Sequence, residues 1–401
     1  MRLTLTSEQS RFSRKVNKFI LAYWSPRELE LLQREEELSN PLAMKQRIKG
    51  WYQEVFDEGW ALLGWPEHLG GVIWDPVLSY IWLTECARRR IPTPQKLPGV
   101  SVVGPLLAAH GSNHQVDQFL PGIRQNLTSW ALGFPIEPNE RSTFEVVKGE
   151  GFLVLNGFTR CSFLGEECRY AVIFTQFKGR ECALLVDLSE PMIEIHSTDS
   201  DGLSKVLCEV AFFDVKVPMD NVILAEETGE GPLQDKLFDS YFFFLPASSL
   251  RLELQNVKAC MDNYQFSSVT TSKYSGIEVE LEGLETLEQR LIFGQEFGSK
   301  SLSISDHLGI KTRELAQNIA QFHVELVGYD SIRALDPLLN HNEHPLAPKG
   351  SEYAVSKLLY INAWFGSPVS SFKWRDRLAR NLKIIEKDES GTGDRSKIGK
   401  L

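Results

Sequence analysis

The sequence has few of the features that mark disulfide-rich, zinc-binding and membrane proteins. Its 401 residues include only six cysteines, and no two of them form a Cys-x-x-Cys pair. Scattered cysteines argue against a disulfide framework or a zinc site and indicate small buried side chains in a reducing compartment. The most apolar run, YFFFLPA at 241–247, is far too short to cross a bilayer, and the N-terminus lacks the apolar core of a signal peptide. These absences predict a soluble cytoplasmic protein with no membrane partner.

Basic side chains are also fewer than acidic ones. The chain carries 43 basic and 53 acidic side chains, which gives a formal net charge of -10. Because phosphate contacts need a basic surface, nucleic acid is not expected as the main partner. Hydrophobic residues make up 42% of the chain, enough to bury large cores in two or three domains.

The first region, residues 1–125, is predicted to be helical. Thr6 and Gln9 have the spacing of a capping box, and apolar residues with helical periodicity follow them. Pro41 and Pro76, each preceded by a capping residue, are predicted to open further helices. The segment GPLLAAHG is predicted to form another helix that ends at Gly111.

Short apolar or alternating runs replace this pattern in residues 126–230 and predict a β-domain, a small barrel or sandwich. Helical spacing returns in residues 231–386, with leucines at 281, 284, 287 and 291. The polar stretch 387–401 is predicted to be a disordered tail. The expected fold class is therefore α+β.

The segment LNGFTRCSFLGEE, residues 155–167, predicts a β-hairpin within the middle region. Asn156 and Gly157 both tolerate positive φ, and the pair lies between two runs with strand character. Such a pair is typical of a two-residue turn, so a second strand is expected to begin after Gly157.

Five segments in consistent order resemble motifs of the acyl-CoA dehydrogenase family. They are GWALLGWPEHLGG (59–71), HGSNHQVDQFLPGI (110–123), VLNGFTRCSF, FFDVKVPMDNVIL (212–224) and RDRLAR (375–380). The resemblance implies a helical domain, a β-domain and a helical bundle in that order. It also implies FAD as the cofactor and an acyl-CoA thioester as the substrate. In this chemistry a carboxylate removes the α-proton while the β-hydride passes to the flavin.

The first two flavin segments depart from the family pattern. In ALGFPIEPNERS, Leu132 fits, but Gly133 and Phe134 stand where the family has a hydroxyl and an acid. After Asn-Gly the family expects an indole and then a hydroxyl, and counting from Gly157 places Cys161 and Phe163 there. The Cys161 thiol cannot supply the stacking area of an indole, and Phe163 cannot donate the hydrogen bond of a hydroxyl. Ser162 would supply the hydroxyl only if the strand slipped by one residue, which would reverse every side chain.

The family's two positions for the catalytic base are also changed. Residues 353–375 contain no Asp or Glu, and the alternative position falls on Tyr241 and Phe242, with Asp239 the nearest carboxylate. Lys273 and Gly328 are weak matches to the motifs that reach a neighbouring subunit's FAD. The resemblance therefore assigns no catalytic residue. It assigns residual cofactor contacts to Leu132, Gly133, Ser162, Lys273 and Gly328.

The motif order of the family is kept, but the flavin contacts and the catalytic base are lost. This combination predicts a companion chain that forms an α2β2 heterotetramer with a second acyl-CoA dehydrogenase-like subunit. That subunit would hold most of the FAD site, and an electron-transfer flavoprotein or similar acceptor would receive the electrons. By analogy with bacterial family members that act on steroid side chains, a steroid-CoA ester is a candidate substrate. Two alternatives stay open: a homo-oligomeric enzyme with an unrecognised base such as Asp239 or Glu253, and a structural or regulatory binding protein.

Overall fold

The computed structural model describes most of the three predicted regions. The described residues are 5–34, 41–134, 144–162, 168–197, 207–224, 245–262, 266–293, 299–328, 354–366, 375, 377–379 and 382. Phe163, Asp239, Tyr241, the phenylalanines at 242–244 and the predicted tail 387–401 lie outside them. What the sequence predicts for those residues stays a prediction, as do the domain boundaries at 125, 230 and 386.

The N-terminal region contains six α-helices among its described residues. They are α1 Ser7–Tyr23, α2 Pro26–Arg34, α3 Pro41–Asp57, α4 Pro76–Ala87, α5 Gly104–His110 and α6 Asn113–Arg124. The capping box of Thr6 and Gln9 is present, and the Asp75 side chain accepts from the Val77 amide at 2.8 Å. The predicted starts of α1, α3 and α4 are therefore confirmed. The sequence reading missed α2, although its start resembles a capping box.

Tryptophan side chains fill the core of this helical region. Trp51 and Trp82 are fully buried, with their rings stacked at 6.1 Å between centroids. Trp65 is equally buried, and a Cβ atom added to Gly104 would come within 1.7 Å of its ring. Glycine is therefore required where α5 begins against Trp65. The segment 59–71, which carries the first family motif, thus contributes core residues.

The middle region forms one eight-stranded mixed sheet. Its strands are β1 Trp130–Phe134, β2 Glu145–Lys148, β3 Phe152–Ser162, β4 Tyr170–Phe177, β5 Arg180–Asp187, β6 Ile193–Ser197, β7 Leu207–Pro218 and β8 Val222–Leu224. The order is β6-β7-β3-β1-β4-β5-β8, with β2 paired to β3. Only the pairing of β1 with β4 is parallel among the described strands. Over these residues β6 and β8 are not paired, so the sheet is not closed into a barrel.

The two faces of the sheet enter different cores. Trp130, Leu132 and Phe174 pack in the core shared with the N-terminal helices. Ala131, Cys161 and other alternating residues form a second core inside the β-domain. Because side chains alternate across a strand, neighbours such as Ala131 and Leu132 belong to different cores.

The hairpin predicted at Asn156-Gly157 is wrong, because β3 continues through both residues. The register of β3 against β7 shifts between Leu155 and Gly157, where β7 has an extra residue. Asn156 donates to Asp214 Oδ1 at 2.8 Å and accepts from the Asp214 amide at 2.9 Å. Positive φ at Gly157 (103°) and Asp214 (52°) accommodates a β-bulge here instead of a turn. The backbone turns earlier, before β3, where Gly151 has φ 77°.

The described C-terminal residues form four further helices. They are α7 Ala247–Met261, α8 Ser268–Phe293, α9 Ser299–Val327 and α10 Ala354–Gly366. Leu250, Leu281, Leu315 and their neighbours form the core between these helices. In the RDRLAR segment, Arg377 pairs with the buried Asp306 of α9 at 2.9 Å. A search of the described helices finds none with the length and hydropathy needed to cross a membrane.

Candidate functional site

A cavity of about 200 Å³ lies between the end of α4, the segment that follows it and the beginning of α7. Its lining is mainly apolar, with a few polar and charged side chains: Leu83, Ala87, Arg90, Ile91, Pro92, Thr93, Lys96, Leu245, Pro246, Ser249 and Glu253. An apolar cavity with a small number of converging polar groups is a common form of ligand site. This cavity is therefore the candidate site in the described part of the chain.

Glu253 is the only carboxylate among the described lining residues, and two cations hold it. Arg90 Nη2 lies 2.5 Å from Glu253 Oε1, and Lys357 of α10 contacts Glu253 Oε2. Burial and the positive charge of Arg90 lower the pKa of Lys357 well below its ordinary value. Arg90 and Lys357 thus contact the same carboxylate from two different helical regions. Both carboxylate oxygens of Glu253 are therefore engaged in ion pairs.

Lys96 brings a second cationic group to the cavity. Its side chain is partly buried, and burial lowers the pKa of Lys96 to about 7, with a further contribution from the positive charge of Arg313. Arg313 lies on α9 and is itself buried. Among the described residues, the lining thus combines Arg90, Lys96 and Glu253 with apolar walls.

A second buried carboxylate, Glu288, lies near the cavity but outside its described lining. It is only 1% exposed, and it accepts from the Ala247 amide at 3.2 Å and from the Tyr80 hydroxyl at 3.3 Å. Burial raises the pKa of Glu288 to about 8, so the carboxyl is mainly protonated at neutral pH. Glu288 therefore joins α4, α8 and the first residue of α7, which follows the cavity residues Leu245 and Pro246.

The β-domain residues predicted to contact FAD are used in packing. Leu132 is fully buried in the core shared with the N-terminal helices. A Cβ atom added to Gly133 would meet Cys161 Sγ and Ile173 Cγ1, each at 3.0 Å. Gly133 thus allows β1 to pack between β3 and β4, its register partners. The space that a side chain at Gly133 would occupy is thus filled by Cys161 and Ile173.

Cys161 points into the inner core of the β-domain. It is fully buried opposite Cys208 of β7, and burial raises the pKa of its thiol. An indole at this position would enter that core instead of facing a cofactor. Ser162 is the register partner of Leu132, and its backbone continues β3.

Lys273 and Gly328 lie at the same end of the helix pair α8 and α9. Lys273 Nζ is 2.9 Å from Glu325 Oε2, and Gly328 follows α9 with φ 60°. Both predicted residues are exposed at the surface. They lie on α8 and after α9, not on β1 and β3, which carry the other three.

The described residues therefore do not fit a complete flavin site on this chain. The side chains of Leu132 and Cys161 pack in the two cores of the sheet, and Gly133 packs against Cys161. A cofactor would instead need side-chain contacts or space at these positions. At the surface, Lys273 could contribute a positive charge to a cofactor site and Gly328 a backbone group. The described residues also include no cluster of three His, Cys, Asp or Glu side chains arranged to hold a metal ion.

Sequence reasoning missed Arg90, Lys96, Lys357 and Glu288. A signal was present for Glu288, which follows Leu281 by seven positions and Leu284 by four on the apolar stripe of α8. A carboxylate on such a stripe indicates a buried acid. No comparable local signal joins Arg90 to Lys357, because the two lie on helical regions far apart in the chain.

Comparison with known proteins identifies the fold. The family profile "Acyl-CoA dehydrogenase, N-terminal domain" matches residues 6–126. The crystal structure of the ChsE4-ChsE5 complex from Mycobacterium tuberculosis superposes with a TM-score of 0.70 at 17% identity, covering 96% of this chain and 100% of that chain. This chain has the acyl-CoA dehydrogenase fold. The resemblance found in the sequence motifs is thereby confirmed.

Other acyl-CoA dehydrogenase structures and sequences are also similar. The structure described as the Tcur3481-Tcur3483 steroid ACAD gives a TM-score of 0.68 at 16% identity, covering 96% of this chain and 100% of that one. Acyl-CoA dehydrogenase FadE29 of M. tuberculosis is 25% identical over 242 residues, 57% of this chain and 59% of FadE29. Acyl-CoA dehydrogenase IpdE1 of the same organism is 28% identical over 193 residues, 45% of this chain and 50% of IpdE1. These matches span less than two thirds of either curated relative.

Proposed function

We propose that this chain is the companion subunit of a flavin-dependent acyl-CoA dehydrogenase. It pairs with a second acyl-CoA dehydrogenase-like subunit in an α2β2 heterotetramer, and that subunit supplies the catalytic base and most of the FAD site. The proposed substrate is an acyl-CoA thioester, with steroid side-chain esters as the candidate class. An electron-transfer flavoprotein or similar acceptor takes the electrons, and the assembly works in the cytoplasm.

The observation that carries this proposal is that Glu253, the candidate base in the cavity, is held in ion pairs. Among the described residues that line the cavity, Glu253 is the one carboxylate, and Arg90 and Lys357 both bind it. Removing an α-proton requires a base with a free lone pair and a suitable pKa. A carboxylate whose two oxygens both form ion pairs does not meet the first requirement, which argues against a self-sufficient enzyme that uses Glu253.

The orientation of Cys161 supports the same conclusion. Counting from Gly157 assigns it the position of the family's indole, yet its side chain packs in the inner core against Gly133 and Cys208. Leu132 is likewise enclosed in a core. A partner subunit that holds the flavin would remove the need for these contacts on this chain.

The similar structures add a precedent for a two-component assembly. One is a complex of ChsE4 with ChsE5, and another combines Tcur3481 with Tcur3483 and is described as a steroid ACAD. A further neighbour with the same fold, PigA, was solved as an FAD complex at a TM-score of 0.66 and 15% identity. These properties belong to those proteins. Their relevance here is that the fold accommodates both flavin and unlike subunits.

Flavin content and activity of the chain, alone and with a partner, test the proposal. The chain purified alone should be colourless and inactive toward acyl-CoA with an artificial electron acceptor. Co-expression with a motif-complete family member from the same genome should give a heterotetramer with one flavin for every two chains. A yellow, active preparation of the single chain would overturn the proposal, and so would one flavin for every chain in the complex.

A substitution at Tyr241 distinguishes a companion subunit from an enzyme that lacks only its catalytic base. Tyr241 aligns with a base position, so Tyr241→Glu would create a second active site if only the base were missing. We expect no gain in turnover per tetramer, because the flavin contacts of β1 and β3 would still be absent. Ser240→Glu is the matched control for adding a carboxylate nearby. Doubled turnover in the Tyr241→Glu complex alone would contradict the degenerate-site interpretation.

A further inference from the structure

Three cysteines lie close together in the inner core of the β-domain. Cys161 of β3 is the register partner of Cys208 of β7, and both belong to this core. Cys168, just before β4, packs against the same core. The pKa of the Cys161 thiol is raised by burial, and further by the negative charges that Cys208 and Cys168 carry when ionised. That effect requires the three sulfur atoms to be near one another.

We propose that Cys161, Cys168 and Cys208 form an oxidation site, at which a hydroperoxide converts Cys161 and Cys208 into a cross-strand disulfide by way of Cys168. The inference rests on the register of β3 against β7 and on the different exposure of the three thiols. It goes beyond the proposed function, because none of these side chains takes part in desaturation or depends on a partner subunit.

The register of the two strands suits a disulfide. Residues directly opposite each other in an antiparallel pair have Cα atoms about 4.5 or 5.5 Å apart. Disulfides span Cα separations of about 4.4–6.8 Å, so β3 and β7 need not move apart or together. The Cys161 sulfur lies on the side of Gly133 in β1, and a rotation about χ1 turns it toward Cys208.

Exposure of the three residues assigns the point of entry to Cys168. Cys161 is fully buried and Cys208 is nearly so, whereas Cys168 is partly exposed. The thiolate is the form that reacts with peroxides, and burial disfavours it at Cys161. A peroxide in solution therefore meets Cys168 before it meets the opposed pair.

The oxidation proceeds in three balanced steps. The Cys168 thiolate attacks one peroxide oxygen, the O–O bond breaks, and the products are a sulfenic acid and water. The Cys161 thiol then attacks the Cys168 sulfur, forming an S–S bond and releasing the sulfenic oxygen as a second water. Finally the Cys208 thiol attacks Cys161, and Cys168 leaves as a thiol that takes up the proton from Cys208. In sum, two thiols lose two hydrogens and one hydrogen peroxide becomes two water molecules.

Peptide mass spectrometry of the full-length folded chain tests the site. After treatment with hydrogen peroxide and alkylation of the remaining thiols, we expect peptides joined through Cys161 and Cys208, lighter by two hydrogens and separated by dithiothreitol. Recovery of both residues as alkylated thiols would overturn the proposal. Sulfinic or sulfonic acid at Cys168, with Cys161 and Cys208 still alkylated, would overturn it as well.

A substitution at the surface tests the entry point without disturbing the buried pair. Cys168→Ala should slow formation of the Cys161–Cys208 disulfide at least tenfold. Cys182→Ala is the matched control in the same core, because the register partners of Cys182 are Thr175 and Leu224. This control should leave the rate unchanged. An unchanged rate in Cys168→Ala would overturn the assigned path.

Thermal unfolding provides a readout that does not depend on peptide mapping. A disulfide between β3 and β7 restricts the unfolded chain, so peroxide should raise the unfolding midpoint of the wild type and dithiothreitol should restore it. Cys208→Ala cannot form the cross-link and should show no such rise. An equal rise in Cys208→Ala would assign the effect to another residue and overturn the proposal.

Discussion

Two glutamates near α7, one partly buried and one fully buried, have different partners. Glu253 lies on α7 itself and forms ion pairs with Arg90 and Lys357. Glu288 lies on α8, and its described partners are a backbone amide and a tyrosine hydroxyl. Glu253 thus contacts two basic side chains, whereas burial raises the pKa of Glu288 to about 8.

The comparison shows how a carboxylate can become structural in a fold whose enzymes depend on one. Glu253 is in the cavity but committed to two cations, and Glu288 has a pKa of about 8 but is not among the described cavity-lining residues. A catalytic base needs both a position at the substrate and an available lone pair. Each glutamate lacks one of these properties, which agrees with a chain that depends on a partner's base.

The largest effect is expected for Glu253→Ala. The substitution leaves the partly buried Arg90 and Lys357 without their shared anion, so the free energy of unfolding should fall by about 3 kcal/mol, the lower end of the range for a fully buried pair. Denaturant unfolding measures the loss, with Glu280→Ala on the exposed side of α8 as the control. A loss no greater than that of the control would mean that the two cations have other sufficient partners.

A smaller loss is expected for Glu288→Ala. The Ala247 amide and the Tyr80 hydroxyl would lose their acceptor, but no charge would be left uncompensated. The cost of such unsatisfied groups is about 1–3 kcal/mol in the free energy of unfolding. If denaturant unfolding showed Glu288→Ala to be more costly than Glu253→Ala, the proposed distinction between the two sites would fail.

The pH dependence of stability distinguishes the charge states. The pKa of Glu288 is raised from 4.5 in its ordinary environment to about 8 in the folded chain, so the folded state binds the proton more tightly. Its stabilising contribution is complete below the unfolded pKa and is lost as the pH rises toward 8. Wild type should therefore lose stability relative to Glu288→Gln as the pH increases over this range. Parallel thermal-unfolding curves for the two proteins across that range would contradict this assignment.

The smallest effect is expected for Tyr80→Phe. It removes one neutral hydrogen bond, at 3.3 Å, and leaves the aromatic ring in place. The free energy of unfolding should fall by about 1 kcal/mol or less. Because the Tyr80 hydroxyl favours the ionised form of Glu288, its loss should raise the Glu288 pKa further. A downward shift of the stability profile along the pH axis would show that Tyr80 does not donate to this carboxyl.

Local sequence signals predicted the helix starts well. Thr6 and Asp75 both cap the helices that follow them through side-chain oxygens. Each cap acts within three residues, so its pattern is visible in the sequence alone. The hairpin predicted at Asn156-Gly157 was wrong, because residues with positive φ occur in a β-bulge as well as in a turn. The partner that decides between them, Asp214, is 58 residues away.

The sequence by itself determined the succession of helices, strands and helices, the capped helix starts and the resemblance to acyl-CoA dehydrogenases. These features depend on periodicity, caps and short motifs, all of which act over a few neighbouring residues. Only the tertiary structure decided that Cys161 faces the inner core and that Arg90 and Lys357 share Glu253. Arg90 and Glu253 are 163 residues apart, and no local preference of the backbone specifies such a pair. The packing of α4, α7 and α10 brings these charges together beside the cavity.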